Sequence, residues 1–186
     1  MFVENPSGEK LSVLVEGKKD APVTIVLAHG FCSDKYGSYF DYFVKTFSDM
    51  YRIVCFDLSG CGESEGRHED GNYEKWAQDL QSILAWTKKT FGGETYIVGH
   101  SMGSYVTALL SLEDVGKTVF TGLPHADVLE LIDHLQKKIL LRTGIQVDEI
   151  GVTPYLNSRG RSVKLGSSFW KVLREFQPVV AMQSYA

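Results

Sequence analysis

The first two thirds of the chain alternate between strand-like and helix-like hydrophobic patterns. An apolar–polar alternation over residues 10–16 predicts a strand with one buried face, and Phe2 and Val3 are expected to begin its partner. The unbroken apolar run Val23–Ala28 predicts a central strand covered on both faces. Further apolar runs predict strands in residues 51–56, 94–98 and 117–123.

Helical patterns separate these strands. Apolar residues from Tyr39 to Phe47 recur at helical spacing, and Asn72 is expected to cap a second helix that ends at Gly92. A short third helix is expected over residues 102–112. Alternating buried strands and helices are typical of an α/β domain, with a mostly parallel sheet flanked by helices.

The alternation stops after Pro124. Residues 126–142 predict an amphipathic helix, a hairpin is expected around residues 157–160, and a last helix runs through Phe169 and Phe176. We therefore divide the chain into a six-stranded core, residues 1–124, and a lid or cap segment, residues 125–186, inserted over the sheet.

Composition narrows the functional classes. The chain has 186 residues and a net charge of −4, which suits one globular domain and disfavours nucleic acid as a partner. Neither a signal peptide nor an apolar run near the ~20 residues of a membrane span is visible, so a cytoplasmic protein is expected. Its three cysteines lack metal-ligand spacing and nucleotide-binding glycine motifs are absent, so no metal or cofactor is expected.

The pattern G-x-S-x-G occurs twice, and only one copy has the surroundings of a catalytic serine. Residues 99–103 follow a predicted strand and lead directly into a predicted helix, the context of a sharp turn that exposes a nucleophile, Ser101. In residues 62–66 two glutamates flank Ser64, and a polar loop follows. Negative charge there opposes an oxyanion, so Ser64 is interpreted as part of a turn.

Two backbone amides are expected to face Ser101. Gly30 ends the neighbouring strand and lets the chain turn, so the N–H groups of Phe31 and Met102 form a candidate oxyanion hole. His29 is expected to brace its loop, and His100 to help position the turn.

Three motifs together resemble the α/β-hydrolase family. They are Ala-His-Gly-Phe at residues 28–31, the glycine-rich loop of residues 56–66, and Val-Gly-His-Ser-Met-Gly at residues 98–103. The following Gly-Asn-Tyr, residues 71–73, is similar to a subgroup of serine esterases and serine-aminopeptidase-like proteins. The resemblance covers roughly residues 8–124, and the later segment fits the variable lid of the family.

The resemblance implies an α/β-hydrolase fold and hydrolysis of a small carboxylic ester through an acyl-enzyme on Ser101, without a cofactor. Phe31 and Met102 match the oxyanion donors. In the family an acid and a histidine follow the lid on two further strands, and this chain ends at the lid. We therefore expect a chain truncated before the rest of its triad, with residues 117–123 as an exposed edge, and hence a complementing chain or homo-oligomer.

His125 is the candidate substitute base, because it follows the strand beside the Ser101 turn. Asp127 is the residue that would orient it. The competing interpretation makes His125 a pocket-lining residue, and His134 is expected at the surface of the lid helix. Lys137, Lys138 and Arg142 on that helix fit either a solvated face or attraction of an anionic substrate.

Two functions remain open from the sequence. The first is a serine hydrolase acting on a carboxylic ester; ester, thioester, lipid and peptide substrates are not distinguished. The alternative is a catalytically incompetent truncated paralogue, or half of a split enzyme, that acts by binding.

Overall fold

Six strands form one sheet in this computed structural model, which describes residues 1–111, 113–157 and 160–183. The strands are β1 Phe2–Glu4, β2 Lys10–Gly17, β3 Val23–Ala28, β4 Arg52–Phe56, β5 Glu94–His100 and β6 Lys117–Thr121. Their spatial order is β1-β2-β4-β3-β5-β6. Strands β4, β3, β5 and β6 are parallel, and β2 pairs antiparallel with both β1 and β4. The predicted α/β class with a mostly parallel sheet is confirmed.

Within the described residues, six helices and a separate hairpin complete the fold. The helices are α1 Ser38–Phe47, α2 Tyr73–Phe91, α3 Met102–Ala108, α4 Val128–Thr143, α5 Ser167–Glu175 and α6 Pro178–Gln183, with one 3₁₀ turn at His68–Asp70. The hairpin pairs β7 Val152–Leu156 with β8 Ser162–Gly166, as predicted, and residues 158 and 159 of its connection lie outside the described residues. No described helix combines the length and the apolar character needed to cross a membrane.

The predicted boundaries of helix α2 are confirmed, whereas the predicted end of strand β6 differs from the structure. Asn72 caps α2 by accepting a hydrogen bond from the Lys75 amide at 2.9 Å, and Gly92 ends that helix with a positive φ of 61°. Strand β6 ends at Thr121 rather than at residue 123, because Gly122 leaves the extended conformation with a φ of 55°.

The helices cover both faces of the sheet. The apolar side of α1, around Phe40, packs on Ile25, Leu27 and Ile53 of the inner strands. On the opposite face α2 and α3 pack together with helices α4 and α5, and the members of this larger cluster include Trp76, Leu80, Tyr105, Ile139, Phe169 and Trp170. The segment after residue 124 thus shares its apolar core with the sheet.

Hydrogen bonds also fasten the hairpin to the loops of the sheet. The His68 ring lies 2.9 Å from the Lys164 carbonyl, and the Asn157 amide donates to the Cys32 carbonyl at 2.9 Å. The Arg161 guanidinium pairs with Asp34 at 3.1 Å. These contacts hold the hairpin over the carboxyl ends of the parallel strands.

Helix α3 approaches the sheet so closely that glycine is required at the contact. A Cβ atom on Gly103 would lie 2.3 Å from the Ala28 carbonyl oxygen and 2.7 Å from that of His29. A Cβ on Gly99 would lie 2.8 Å from the Gly103 carbonyl oxygen. Because these neighbours are backbone atoms, no side-chain rotation could relieve the overlap.

The fully buried His29 ring joins the loops after β3 and β4. Its Nε2 accepts a hydrogen bond from the Leu58 amide at 3.1 Å, which requires the proton on Nδ1, and Nδ1 donates to the Gly30 carbonyl at 2.8 Å. Burial lowers the pKa of His29, although the Gly30 carbonyl and Asp57 act in the opposite direction. The predicted bracing role of His29 is confirmed.

We expect Gly103→Ala to lower the free energy of unfolding by roughly 2–4 kcal/mol, because the new methyl group overlaps backbone oxygens. Gly144→Ala is the matched control, and it is preferred to Gly92→Ala because Gly92, at φ 61° and ψ −151°, has a conformation that only glycine adopts. A Cβ on Gly144 would meet no atom within 4 Å, so only the left-handed conformation at φ 69° and ψ 8° is strained, at a cost of about 1–2 kcal/mol. Urea unfolding followed by circular dichroism measures both, and a Gly103→Ala protein at least as stable as Gly144→Ala would contradict the close approach.

The buried neutral His29 also predicts a pH dependence. The folded-state pKa lies below the unfolded value, so between the two the unfolded chain binds more protons, and stability falls as the pH drops below about 6.5. His29 contributes at most about 1.4 kcal/mol per pH unit to this loss. Urea unfolding between about pH 7.5 and 5.5 should show a shallower slope in His29→Gln, whereas His134→Gln, with its exposed ring, keeps the wild-type slope. Identical slopes in all three proteins would show that His29 is not held neutral.

Candidate active site

Ser101 occupies a strained turn between β5 and α3. Its backbone has φ 53° and ψ −120°, and among the described residues only Cys32 shares a positive φ without being glycine. Such a conformation costs of order 1–3 kcal/mol and needs support from its surroundings. The Ser101 amide supplies part of it by donating to the Thr121 carbonyl of β6 at 2.8 Å. The strand–turn–helix context predicted for Ser101 is confirmed.

Two amides at the same place have no backbone acceptor. Gly30 packs directly against Ser101, since a Cβ on Gly30 would lie 3.2 Å from the Ser101 Cβ. The N–H groups of Phe31 and Met102 donate to no backbone carbonyl in the described parts of the chain. Met102 is nearly inaccessible, and a buried N–H without a partner is unusual in a folded protein. Both amides are therefore available to a ligand.

Ser101, Phe31 and Met102 line a cavity of about 800 Å³ between the sheet edge and helix α4. Aromatic side chains form much of its wall: Phe31, Tyr39, Phe40, Tyr73 and Tyr155. The polar part is basic, with His100, His125, His134, Lys138 and Arg142. No aspartate or glutamate is among the described residues that line it. The site thus combines an apolar surface with positive charge.

His125 lies on the cavity wall just after β6, where its carbonyl accepts a hydrogen bond from the Tyr105 hydroxyl at 2.6 Å. Its Nδ1 is 2.7 Å from a Glu130 carboxylate oxygen. The expectation that Asp127 orients His125 is wrong, because the Asp127 carboxylate accepts from the Leu129 and Glu130 amides and caps α4 instead. The Ser101 hydroxyl makes no hydrogen bond to His125 or to any other residue that the structure describes.

The two other cavity histidines differ in role. The His100 Nδ1 lies 3.2 Å from the Thr121 hydroxyl, and its ring stacks on Tyr39 with 4.5 Å between centroids. Burial lowers the pKa of His100. These contacts confirm that His100 helps position the turn. His134 is exposed as predicted, yet it also borders the cavity, which the sequence did not indicate.

The second G-x-S-x-G sequence is a structural turn. The Ser64 hydroxyl donates to the Asp57 carbonyl at 2.7 Å and accepts from the Ser12 amide at 2.8 Å. The first bond closes the loop after β4 on itself, and the second fastens that loop to β2. The interpretation of Ser64 as turn chemistry is confirmed.

Sequence reasoning missed a buried ion pair behind the site. The Lys35 ammonium lies 2.6 Å from an Asp57 carboxylate oxygen, and the Lys35 and Glu63 amides also donate to that carboxylate, at 2.6 and 2.9 Å. Burial alone would lower the pKa of Lys35, but its hydrogen bonds to Asp57 and Glu63 raise it overall. The only signal of this ion pair in the sequence was Asp57, at the start of the glycine-rich loop.

The three cysteines are free thiols in the interior: Cys32, Cys55 and Cys61. Burial raises the pKa of Cys55 to about 12 and also raises the pKa values of Cys32 and Cys61, so all three remain protonated near neutral pH. Among the described residues no three His, Cys, Asp or Glu side chains come together as a metal site would require.

Comparison with known proteins agrees with this architecture. A family model for the alpha/beta hydrolase fold matches residues 23–180. Human epoxide hydrolase 4 is 26% identical over 130 residues, which is 66% of this chain and 33% of that protein. Epoxide hydrolase 3 of Xenopus tropicalis is 30% identical over 124 residues, 64% of this chain and 32% of that protein. The chain thus spans about a third of the length of these relatives.

Solved structures share the fold over nearly the whole chain. Est1E from Butyrivibrio proteoclasticus, determined with ferulic acid bound, superposes with a TM-score of 0.73 at 20% identity, covering 98% of this chain and 73% of its own. A hydrolase structure from Agrobacterium vitis gives a TM-score of 0.65 at 18% identity, covering 94% and 70%. With the family model matching most of its residues, this chain belongs to the α/β-hydrolase fold family.

Proposed function

We propose that this α/β-hydrolase acts on a carboxylic ester, with Ser101 as the nucleophile. The observation that carries the proposal is the strained Ser101 turn, which opens on a cavity beside the unpaired amides of Phe31 and Met102. A serine hydroxyl next to preorganised N–H donors is the arrangement that acyl transfer requires.

The reaction then has two steps. Ser101 Oγ attacks the ester carbonyl carbon, its proton passes to the leaving alcohol through a base, and an acyl-enzyme forms. The carbonyl oxygen becomes negatively charged and accepts hydrogen bonds from the Phe31 and Met102 amides, each worth about 3 kcal/mol of the barrier. Water then attacks the acyl carbon, which releases the carboxylic acid and restores the Ser101 hydroxyl.

We propose His125 as the base in the form of the protein described here. With its Nδ1 proton directed to Glu130, the neutral ring keeps a lone pair on Nε2, which is the state a general base needs. His125 lines the same cavity as Ser101, and proton transfer requires only that Nε2 reach Oγ directly or through one water.

The serine side chain favours ester hydrolysis over the opening of an epoxide, the substrate class in the names of the sequence relatives. Attack of a serine oxygen on an epoxide carbon would leave an ether on the protein. An ether has no carbonyl carbon for water to attack, so the reaction would stop after one event. An acyl-enzyme, by contrast, is hydrolysed with the help of the same oxyanion donors.

Labelling with a fluorophosphonate tests both residues. We expect the wild-type chain to be phosphonylated at Ser101, identified by peptide mass spectrometry, and Ser101→Ala to remain unlabelled. His125→Gln should label roughly 100-fold more slowly, in line with loss of a general base. Ser82→Ala, on α2 and outside the lining of the cavity, serves as the matched control and should label at the wild-type rate.

The labelling results distinguish a serine hydrolase from a protein that acts by binding. Labelling at Ser101 that is independent of His125 would retain the nucleophile and remove His125 as its base. A folded chain that is not labelled at all would contradict the hydrolase proposal and favour a protein that acts by binding.

A further inference from the structure

Helix α4 presents two different polar faces. On its outer side Lys137 pairs with Asp133 at 2.6 Å, and both side chains are well exposed. Lys138 and Arg142 lie on the side that lines the cavity, one turn apart. Like charges at this spacing repel each other, so the inner face is unfavourable for the helix by itself.

Lys138 has no counter-charge among the residues that the structure describes. It is half-buried, and neither a carboxylate nor a hydrogen-bond partner contacts it there. Burial and the neighbouring Arg142 both lower the pKa of Lys138. The nearby Cys32 thiol does not balance the charge, because burial keeps it protonated.

The carboxylates around α4 are already paired elsewhere. Glu130 contacts His125, Asp133 contacts Lys137, and Glu149 binds the Arg174 guanidinium with both oxygens. The guanidinium of Arg142 donates to the neutral oxygens of Tyr155 and Leu156, at 3.0 and 3.1 Å. The cavity of a chain with a net charge of −4 is therefore locally positive.

We propose that Lys138, supported by Arg142, binds a carboxylate group carried by the ester substrate, separate from the ester bond that Ser101 attacks. One ammonium without a partner matches one negative charge, while Arg142 keeps its bonds to Tyr155 and Leu156. The aromatic wall suits an apolar connection between the two ends of such a substrate. This inference rests on the proposed function, because it describes the substrate of that same site.

Binding to the Ser101→Ala chain tests the inference without turnover. The two probes are monobenzyl glutarate, which carries one carboxylate, and its neutral methyl ester, compared by isothermal titration calorimetry. We expect the anion to bind about tenfold more tightly at low salt, as a charge-assisted hydrogen bond provides. The preference should shrink between about 20 and 300 mM NaCl.

Two lysine substitutions on α4 test which ammonium group binds the carboxylate. Lys138→Met keeps the apolar stem and should remove the preference for the anion, whereas Lys137→Met on the outer face should leave it intact. Equal affinity for the two probes, no measurable binding of either, or a preference that survives Lys138→Met would overturn the inference. Failure of Ser101 labelling is a separate outcome, because the binding comparison is made without the serine.

Discussion

The close packing of three backbone segments around Ser101 is the constraint on which the rest of the site depends. Glycine at positions 30, 99 and 103 lets β3, β5 and α3 meet with no Cβ between them. This contact holds Ser101 at φ 53° against its own preference and brings the Phe31 and Met102 amides to the same cavity. Larger residues at those positions would separate the nucleophile from its candidate oxyanion donors. Strain at the serine and free amides beside it are thus consequences of one packing arrangement.

Buried polar groups make this arrangement rigid. His29 joins the loop after β3 to the loop after β4, and the Asp57 carboxylate accepts from the Lys35 ammonium and from two backbone amides. Each partner is satisfied, so removing one member would leave the other buried without compensation. Stability and site geometry therefore depend on the same interactions.

Local patterns in the sequence predicted most of the fold. Apolar runs predicted β3 to β6, and an apolar–polar alternation predicted β2 and its partner β1. The Asn72 cap and Gly92 bounded α2, and the surroundings of Ser101 and Ser64 separated a strained turn from an ordinary one. Pairings between distant residues were not visible, because Lys35 and Asp57 meet only once the loops after β3 and β4 are placed. The same holds for the cavity face of α4, where helical spacing alone could not tell Lys138 from Lys137.

We infer that the Phe31 and Met102 amides receive the charge that develops when Ser101 reacts. A crystal structure of the chain phosphonylated at Ser101 would test this inference, since the phosphoryl oxygen mimics the oxyanion. We expect that oxygen within about 2.7–3.1 Å of both amide nitrogens. A phosphoryl oxygen that points to solvent, or lies beyond about 3.5 Å from either amide, would rule it out.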